Sequence, residues 1–219
     1  MRLKALFEGN SFVGIFAKTS EKITIVPKNS PEKFVRICGD AFGTQVVLAS
    51  VDSSELLGIF CCMNGRGIVL PEFVSKGEVD EFRGVGLEVL VMKDRHASIG
   101  MNVAANDKVA MVNPKIPASI ARKIGECLDV EVIRRKIGPY GTAGACCVMT
   151  NRGFVLHNAQ GGELEKLEKE LGMRGGIGTV NMGNAFVGTG VVANSNGYVV
   201  GERTSGFETH RLDEALGFI

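Results

Sequence analysis

Five glycines, Gly14, Gly58, Gly100, Gly144 and Gly188, each follow an apolar lead-in, at spacings of 44, 42, 44 and 44 residues. A period of that length across 219 residues marks a repeat architecture. Each glycine opens the same series. A short apolar strand is expected first, as GIFAK, GIFCCM, GMNVAA, GACCVMT and GTGVVA. A polar turn follows: Ser20-Glu21, then Asn64-Gly65-Arg66-Gly67, Asn106-Asp107, Asn151-Arg152-Gly153 and Asn194-Ser195-Asn196-Gly197. Asn and Gly tolerate the positive φ that tight hairpins require. The second strand reads KITIVP, GIVLP, KVAMVNP, GFVLHN and GYVVG, and Pro27, Pro71 and Pro114 close three of these because proline has no ladder donor.

The apolar period then changes from 2 to 3.6. Phe34, Ile37, Cys38, Ala41 and Phe42 share one helical face, with Ser30-Pro31 as N-cap and first helical residue. Ser75-x-x-Glu78 and Ser205-x-x-Glu208 read as capping boxes. Ile120, Ile124, Cys127 and Leu128 form the stripe of the third helix, and Leu164, Leu167 and Leu171 that of the fourth. Leu212, Ala215, Leu216 and Ile219 form the stripe of the fifth. TQVVLAS, LEVLVM and VEVIRRKI supply β-branched third strands, and GGIGTVNM a weaker one. The fold class is therefore α/β, with one domain over 1–219 built from strand-strand-helix-strand repeats near 11–54, 55–97, 98–141, 142–185 and 186–219.

The fifth repeat has no third strand of its own. MRLKALFE stands before Gly14 at about the phase at which VEVIRRKI stands before Gly144. Residues 1–8 are thus expected to finish the last blade and shut the ring, with Leu3, Ala5 and Phe7 inward and Arg2, Lys4 and Glu8 outward. An open solenoid would need polar capping repeats, and neither end looks like one.

Candidate chemistry is thin. Gly188-Thr189-Gly190 lacks the third glycine and the helix of a dinucleotide loop, and Gly138-Pro139-Tyr140-Gly141 lacks the Lys-Ser/Thr of a P-loop. His96, His157 and His210 have no ligand spacing, and no Cys-x-x-Cys occurs, so no metal or cofactor is expected. Cys38, Cys61, Cys62, Cys127, Cys146 and Cys147 read as small buried hydrophobes in a reducing cell. Arg134-Arg135-Lys136 is the one basic run, read as an exposed strand end or loop, with RNA contact as the alternative. The net charge is +1, against the clear basic excess of proteins that hold nucleic acid mainly by its phosphates. No apolar run is long enough for a membrane span, and MRLKALFEGN is not a signal peptide, so a cytoplasmic protein is expected.

A ring of five such units resembles the pentein fold, a five-bladed, pseudo-fivefold α/β propeller. Some penteins modify guanidino groups with a late nucleophilic cysteine. Here the last cysteine is Cys147, and long inserted loops are absent. More specifically, Phe7-Glu8-Gly9-Asn10, Gly58-x5-Asn64-Gly65-Arg66-Gly67, Val132-Ile133-Arg134, Gly178-Thr179-Val180-Asn181-Met182-Gly183 and the stretch from Arg211 to Phe218 are similar to the translation initiation factor 6 family, archaeal type. The resemblance runs the length of the chain. It implies a monomeric binding protein without catalysis or cofactor, attached to the intersubunit face of the large (50S) ribosomal subunit. The implied contacts are a ribosomal protein beside the sarcin–ricin loop and, secondarily, rRNA. Occupying that face would exclude the small (30S) subunit, and a role in late assembly of the large subunit is also implied. Carried over by position, Asn10, Asn64, Arg66, Asn102 and Asn106 are the expected ribosome-binding residues, near the first strands and their hairpin turns. Cys146 stands where eukaryotic members hold Tyr. Two alternatives are a guanidino-modifying enzyme and a ring scaffold for a non-ribosomal partner.

Overall fold

The computed structural model describes residues 1–157 and 162–219. Its strands are β1 (Arg2–Ala5), β2 (Lys18–Thr19), β3 (Ile23–Pro27), β4 (Gln45–Ala49), β5 (Cys62–Met63), β6 (Gly67–Pro71), β7 (Glu88–Met92), β8 (Val103–Ala105), β9 (Val109–Val112), β10 (Glu131–Arg134), β11 (Cys147–Met149), β12 (Phe154–Leu156), β13 (Gly175–Ile177), β14 (Val191–Asn194) and β15 (Gly197–Gly201). They form five three-stranded sheets, β2-β3-β4, β5-β6-β7, β8-β9-β10, β11-β12-β13 and β14-β15-β1. In each sheet the first two strands are antiparallel, joined by a hairpin, and the third is parallel to the second. In the first four repeats that parallel return is made by a crossover helix. The second strand of repeat four is shorter than expected, and Asn158 at its expected end lies outside the described residues.

The five glycines do not begin strands, as the sequence suggested. They sit in single helical turns: Val13–Ile15, Leu57–Phe60, Ile99–Asn102, Ala143–Cys146 and Val187–Gly190. The reason is contact between repeats. A Cβ on Gly58 would lie 1.9 Å from the carbonyl oxygen of Gly14, and one on Gly100 2.1 Å from that of Gly58. One on Gly144 would lie 2.1 Å from Gly100 O, one on Gly188 1.9 Å from Gly144 O, and one on Gly14 2.4 Å from Gly188 O. Each glycine thus rests on the backbone of the glycine before it, and the series returns to its start. The inner strands β2, β5, β8, β11 and β14 also touch in a closed cycle.

β1 pairs in parallel with β15, from Arg2 opposite Tyr198 to Ala5 opposite Gly201, which closes the fifth blade. The Met1 ammonium donates to the carbonyls of Asn196 (2.8 Å) and Ala41 (3.1 Å). Ala5 and Phe7 are buried, Leu3 is half-buried, and Arg2, Lys4 and Glu8 are exposed. Phe7 stacks on Phe16 (4.2 Å) and meets Phe34 edge-on (5.2 Å). Burying side chains of this kind contributes about 1.5–3 kcal/mol each.

The outer helices are α1 (Glu32–Phe42), α2 (Lys76–Gly84), α3 (Ala118–Leu128), α4 (Glu163–Leu171) and α5 (Gly206–Ala215). Several fill the gap between neighbouring sheets. Phe34, Cys38, Ala41 and Phe42 of α1 share a core with Ala5, Val192 and Val199 of the fifth sheet. Ala121, Ile124 and Leu128 of α3 do so with Val69 and Met92 of the second. Ser75 and Ser205 make complete capping boxes with Glu78 and Glu208. Ser30 is not a cap: Pro31 holds that position, and its carbonyl accepts from Phe34 and Val35. Ile219 lies beyond α5 and is exposed, because that helix ends at Ala215.

Gly100→Ala must push a methyl into backbone that belongs to another blade, so it is expected to destabilise by at least about 2 kcal/mol in urea denaturation. A Cβ added at Gly77, in α2, would meet nothing within 4 Å. Gly77→Ala is expected to be neutral or to stabilise by about 0.4–1 kcal/mol in the same assay.

Candidate functional site

The ring has two ends. At one lie the hairpin turns and the C-termini of the outer helices. At the other lie the helical turns, the loops entering them, and the helix N-termini. The expected binding residues divide between these ends.

Asn64 and Asn106 belong to the hairpin end, and both are buried. Asn64 Oδ1 accepts from the N–H groups of Arg66 (2.9 Å) and Gly67 (3.0 Å), which sets the turn. Its Nδ2 donates to Asn106 O (3.1 Å) in the next blade and to Leu128 O (2.8 Å) at the end of α3. Asn106 repeats the pattern: Oδ1 accepts from Lys108 and Val109, and Nδ2 donates to Thr150 O (2.8 Å). Asn194 does the same toward Ser20 O and Phe42 O. Ser20 and Thr150 occupy the equivalent slots, and their hydroxyls accept the turn N–H groups without reaching the next blade through an amide. These asparagines therefore lace the ring from inside. Arg66 is exposed at this end.

Asn10 and Asn102 lie at the opposite, loop end. Asn10 pairs through its backbone with Phe7 and accepts from Phe12 N–H through Oδ1 (2.8 Å), and it is half-buried. Asn102 is buried; its Nδ2 donates to Ser98 O (2.9 Å) and its Oδ1 accepts from Asn113 Nδ2 (2.6 Å). Among the five expected residues, only Asn10 and Arg66 reach solvent, and the fold holds them on opposite ends. The Asn181 side chain is likewise turned inward, with Nδ2 donating to Ser11 O (2.8 Å) across the ring closure.

The loop end is shaped by two carboxylates that sequence patterning identified only as caps. Asp52 and Ser53 have φ of 53° and 60°, and Asn181 and Met182 have 52° and 66°. These left-handed pairs aim backbone N–H groups at one point. Glu78 takes those of Asp52 (2.9 Å) and Ser53 (3.0 Å) and the Ser50 hydroxyl (2.8 Å), besides its own cap. Glu208 takes those of Met182 (3.3 Å) and Gly183 (2.8 Å) and the Thr179 hydroxyl (2.9 Å). Burial alone would raise the Glu78 carboxyl, but these donors together hold it at about 2; Glu208 is lowered by the same opposition.

This end of the ring presents apolar side chains to solvent. Leu6, Phe12, Phe73, Tyr140, Met182 and Phe207 are all exposed at this end, Met182 and Phe207 by 71% and 70%. Phe73 meets Phe60 edge-on (5.3 Å), and Tyr140 meets Phe186 and His157 (5.2 Å each). Sequence reasoning missed this surface. It read Met182 as the end of the weak third strand GGIGTVNM, whereas that strand stops at Ile177 and Met182 lies in the loop beyond it.

Other candidates are absorbed by packing. Arg134 donates to Pro114 O and Ile116 O, and Arg135 pairs with Glu170 (2.7 Å), leaving Lys136 as the untied member of the basic run among the described residues. The Gly188-Thr189-Gly190 backbone is covered by Gly144, Val180 and Asn181. All six cysteines are free thiols, and burial pushes those of Cys38 and Cys61 up to about 12. Cys146, in the slot of the expected eukaryotic Tyr, is buried and its thiol is raised by burial. Among the described residues no group of three His, Cys, Asp or Glu could hold a metal ion, and no helix is long and apolar enough to cross a membrane.

Two outcomes test this architecture. Asn64→Asp replaces an amide donor by a carboxylate facing two carbonyls, and is expected to cost about 2–4 kcal/mol in denaturation at pH 7. Glu78 is depressed in the fold, so its contribution is present above the unfolded value of about 4.5 and is lost as pH falls toward about 2. Glu78→Gln is expected to lower stability at pH 7 by about 2–3 kcal/mol and to flatten that acid limb, read from melting temperature against pH.

Comparison with known proteins agrees over the whole ring. The profile of the eIF-6 family matches residues 2–215. "Translation initiation factor 6" of Pyrobaculum aerophilum is 35% identical over 210 residues, covering 95% of this chain and 96% of that protein. The proteins of the same name from Pyrococcus horikoshii and Methanoculleus marisnigri are 32% identical over 220 residues and 33% identical over 215, with 97% and 96% of both chains covered. The chain belongs to the eIF-6 family, the translation initiation factor 6 proteins.

Proposed function

We propose that this chain binds the large ribosomal subunit at its intersubunit face through the loop end of the ring, and so blocks association with the small subunit. Membership of the eIF-6 family supports a ribosomal partner. The observation that carries the choice of surface is the collection of exposed apolar side chains at one end, against an opposite end whose asparagines are spent inside the ring. Exposed apolar groups rimmed by polar loops suit a protein partner. A net charge of +1 supports the same order of importance: a ribosomal protein beside the sarcin–ricin loop first, rRNA second. Asn10 belongs to this surface, and Arg66 lies outside it. The chain acts as a monomer in the cytoplasm, by steric exclusion rather than catalysis, and serves late assembly of the large subunit by the same contact.

Gradient co-sedimentation tests the proposal. The protein is expected to travel with large subunits, and not with small subunits or joined ribosomes. Met182→Glu combined with Phe207→Glu is expected to weaken binding by about 10-fold or more without loss of melting temperature. Arg66→Glu is expected to leave it within about 2-fold. The reverse pattern would place docking at the hairpin end, and no binding to large subunits at moderate salt would leave the non-ribosomal scaffold as the better account.

A further inference from the structure

Charge is divided unevenly among the five loops that lead from one blade to the next. The loops after β1 and β4 carry only acids, Glu8 in the first and Asp52 with Glu55 in the second. The loop after β13, which holds Met182, carries no charge. The loops after β7 and β10 carry Lys93 with Arg95, and Arg135 with Lys136, and Arg134 ends β10 itself. Lys115 is the one charged residue between β9 and α3. A net charge of +1 for the whole chain therefore conceals a basic sector at the loop end of blades three and four.

The fold joins these cations into one surface. Arg134 donates to Pro114 O (2.7 Å) and Ile116 O (2.8 Å), the carbonyls on either side of Lys115. Arg134, Arg135 and Lys136 share a shallow depression with Lys166 of α4. The acids nearby are engaged. Glu170 pairs with Arg135 (2.7 Å), and Glu163 accepts from Gly138 N–H (2.8 Å) beside the same guanidinium. Asp94 accepts from His96 N–H (2.9 Å) and meets its ring. Lys93, Arg95, Lys115, Lys136 and Lys166 are exposed, and their charged groups meet no hydrogen-bond or ionic partner among the described residues. Tyr140 stands in the same loop as Lys136, 38% exposed, its ring steadied edge-on by His157 and Phe186.

We propose that this sector binds the phosphate backbone of a single-stranded RNA segment, with an unpaired base stacked on Tyr140. Unpaired cations spread over several chain segments suit a linear polyanion better than one small anion, which would need them converged in a pocket. An exposed aromatic ring among cations is the footprint of single-strand recognition, where the ring takes a base and the lysines take phosphates. The acidic loops after β1 and β4 repel the same polyanion and confine it to one side of the end. The uncharged loop with Met182 is left to a protein partner. The source of the RNA, the large subunit, rests on the ribosomal reading; the RNA-binding chemistry rests on the sector alone.

Fluorescence anisotropy of the full chain with a labelled RNA stem-loop, its loop about ten nucleotides long, tests this. Affinity is expected to fall about 50-fold from about 50 to about 200 mM salt, as about four phosphate contacts on a single strand require. Lys115→Ala, Lys136→Ala and Lys166→Ala together are expected to weaken binding about 10-fold or more and to flatten that salt dependence, with the melting temperature unchanged. Tyr140→Leu, which keeps an apolar contact for Phe186, is expected to weaken binding about 5-fold at the same salt dependence. Lys22→Ala with Lys108→Ala, at the hairpin end, is expected to change it by less than about 2-fold. Unchanged affinity in the triple variant, an equal loss in the hairpin-end control, or competition by polyglutamate as strong as by unlabelled RNA would each overturn the proposal. Large-subunit co-sedimentation separates the two readings. No RNA binding with co-sedimentation intact sinks this inference alone, and RNA binding without co-sedimentation sinks the ribosomal one alone.

Discussion

The whole ring depends on the absence of five methyl groups. Where each repeat turns inward, the Cα of one glycine lies against the carbonyl of the glycine before it, at distances no side chain could share. Because the contact is backbone on backbone, it fixes the angle between successive blades without help from side-chain shape. Five equal steps return to the start, so the number of blades follows from one local geometry repeated. The helical turns exist to make that approach possible, since a strand at the same place would hold the backbones a ladder spacing apart.

This is also where legibility in the sequence stopped. The spacing of the glycines, 42 to 44 residues, revealed the repeats, and β1 was legible as the missing third strand because residues 1–8 stand before Gly14 at about the phase of VEVIRRKI before Gly144. The helical turns were not legible. Four residues give no period, and GIFCCM is as apolar as a strand. The candidate site suffered from a related ambiguity. Asparagine in a hairpin can serve the turn, a neighbour or a partner, and composition cannot choose. The structure shows Asn64, Asn106 and Asn194 serving the first two at once. Ser30-Pro31 matched a cap pattern, but proline took the cap position itself.

The two ends of the ring differ in how they treat their polar groups. At the hairpin end, amides bridge blades and the surface is what remains after that work. At the loop end, Glu78 and Glu208 gather backbone N–H groups beneath the surface, and the Met182 side chain is left facing solvent. A carboxylate below and an exposed Met or Phe above is a division of labour between rigidity and contact. It gives a near-neutral protein a preorganised apolar surface, whose side chains lose little backbone freedom when covered.

The pairing of β1 with β15 has a consequence for how this chain comes into being. β1 has no partner until residues 197–201 exist, so a strand early in the chain waits for one made much later. Blades two to four can pack as they emerge, each on the one before, while the N-terminal strand waits. Until it docks, Phe7, Phe16 and Phe34 lack their completed cluster and the glycine cycle lacks its final step. Ring closure therefore waits on β15: the β1 edge finds its partner only once the last hairpin has formed.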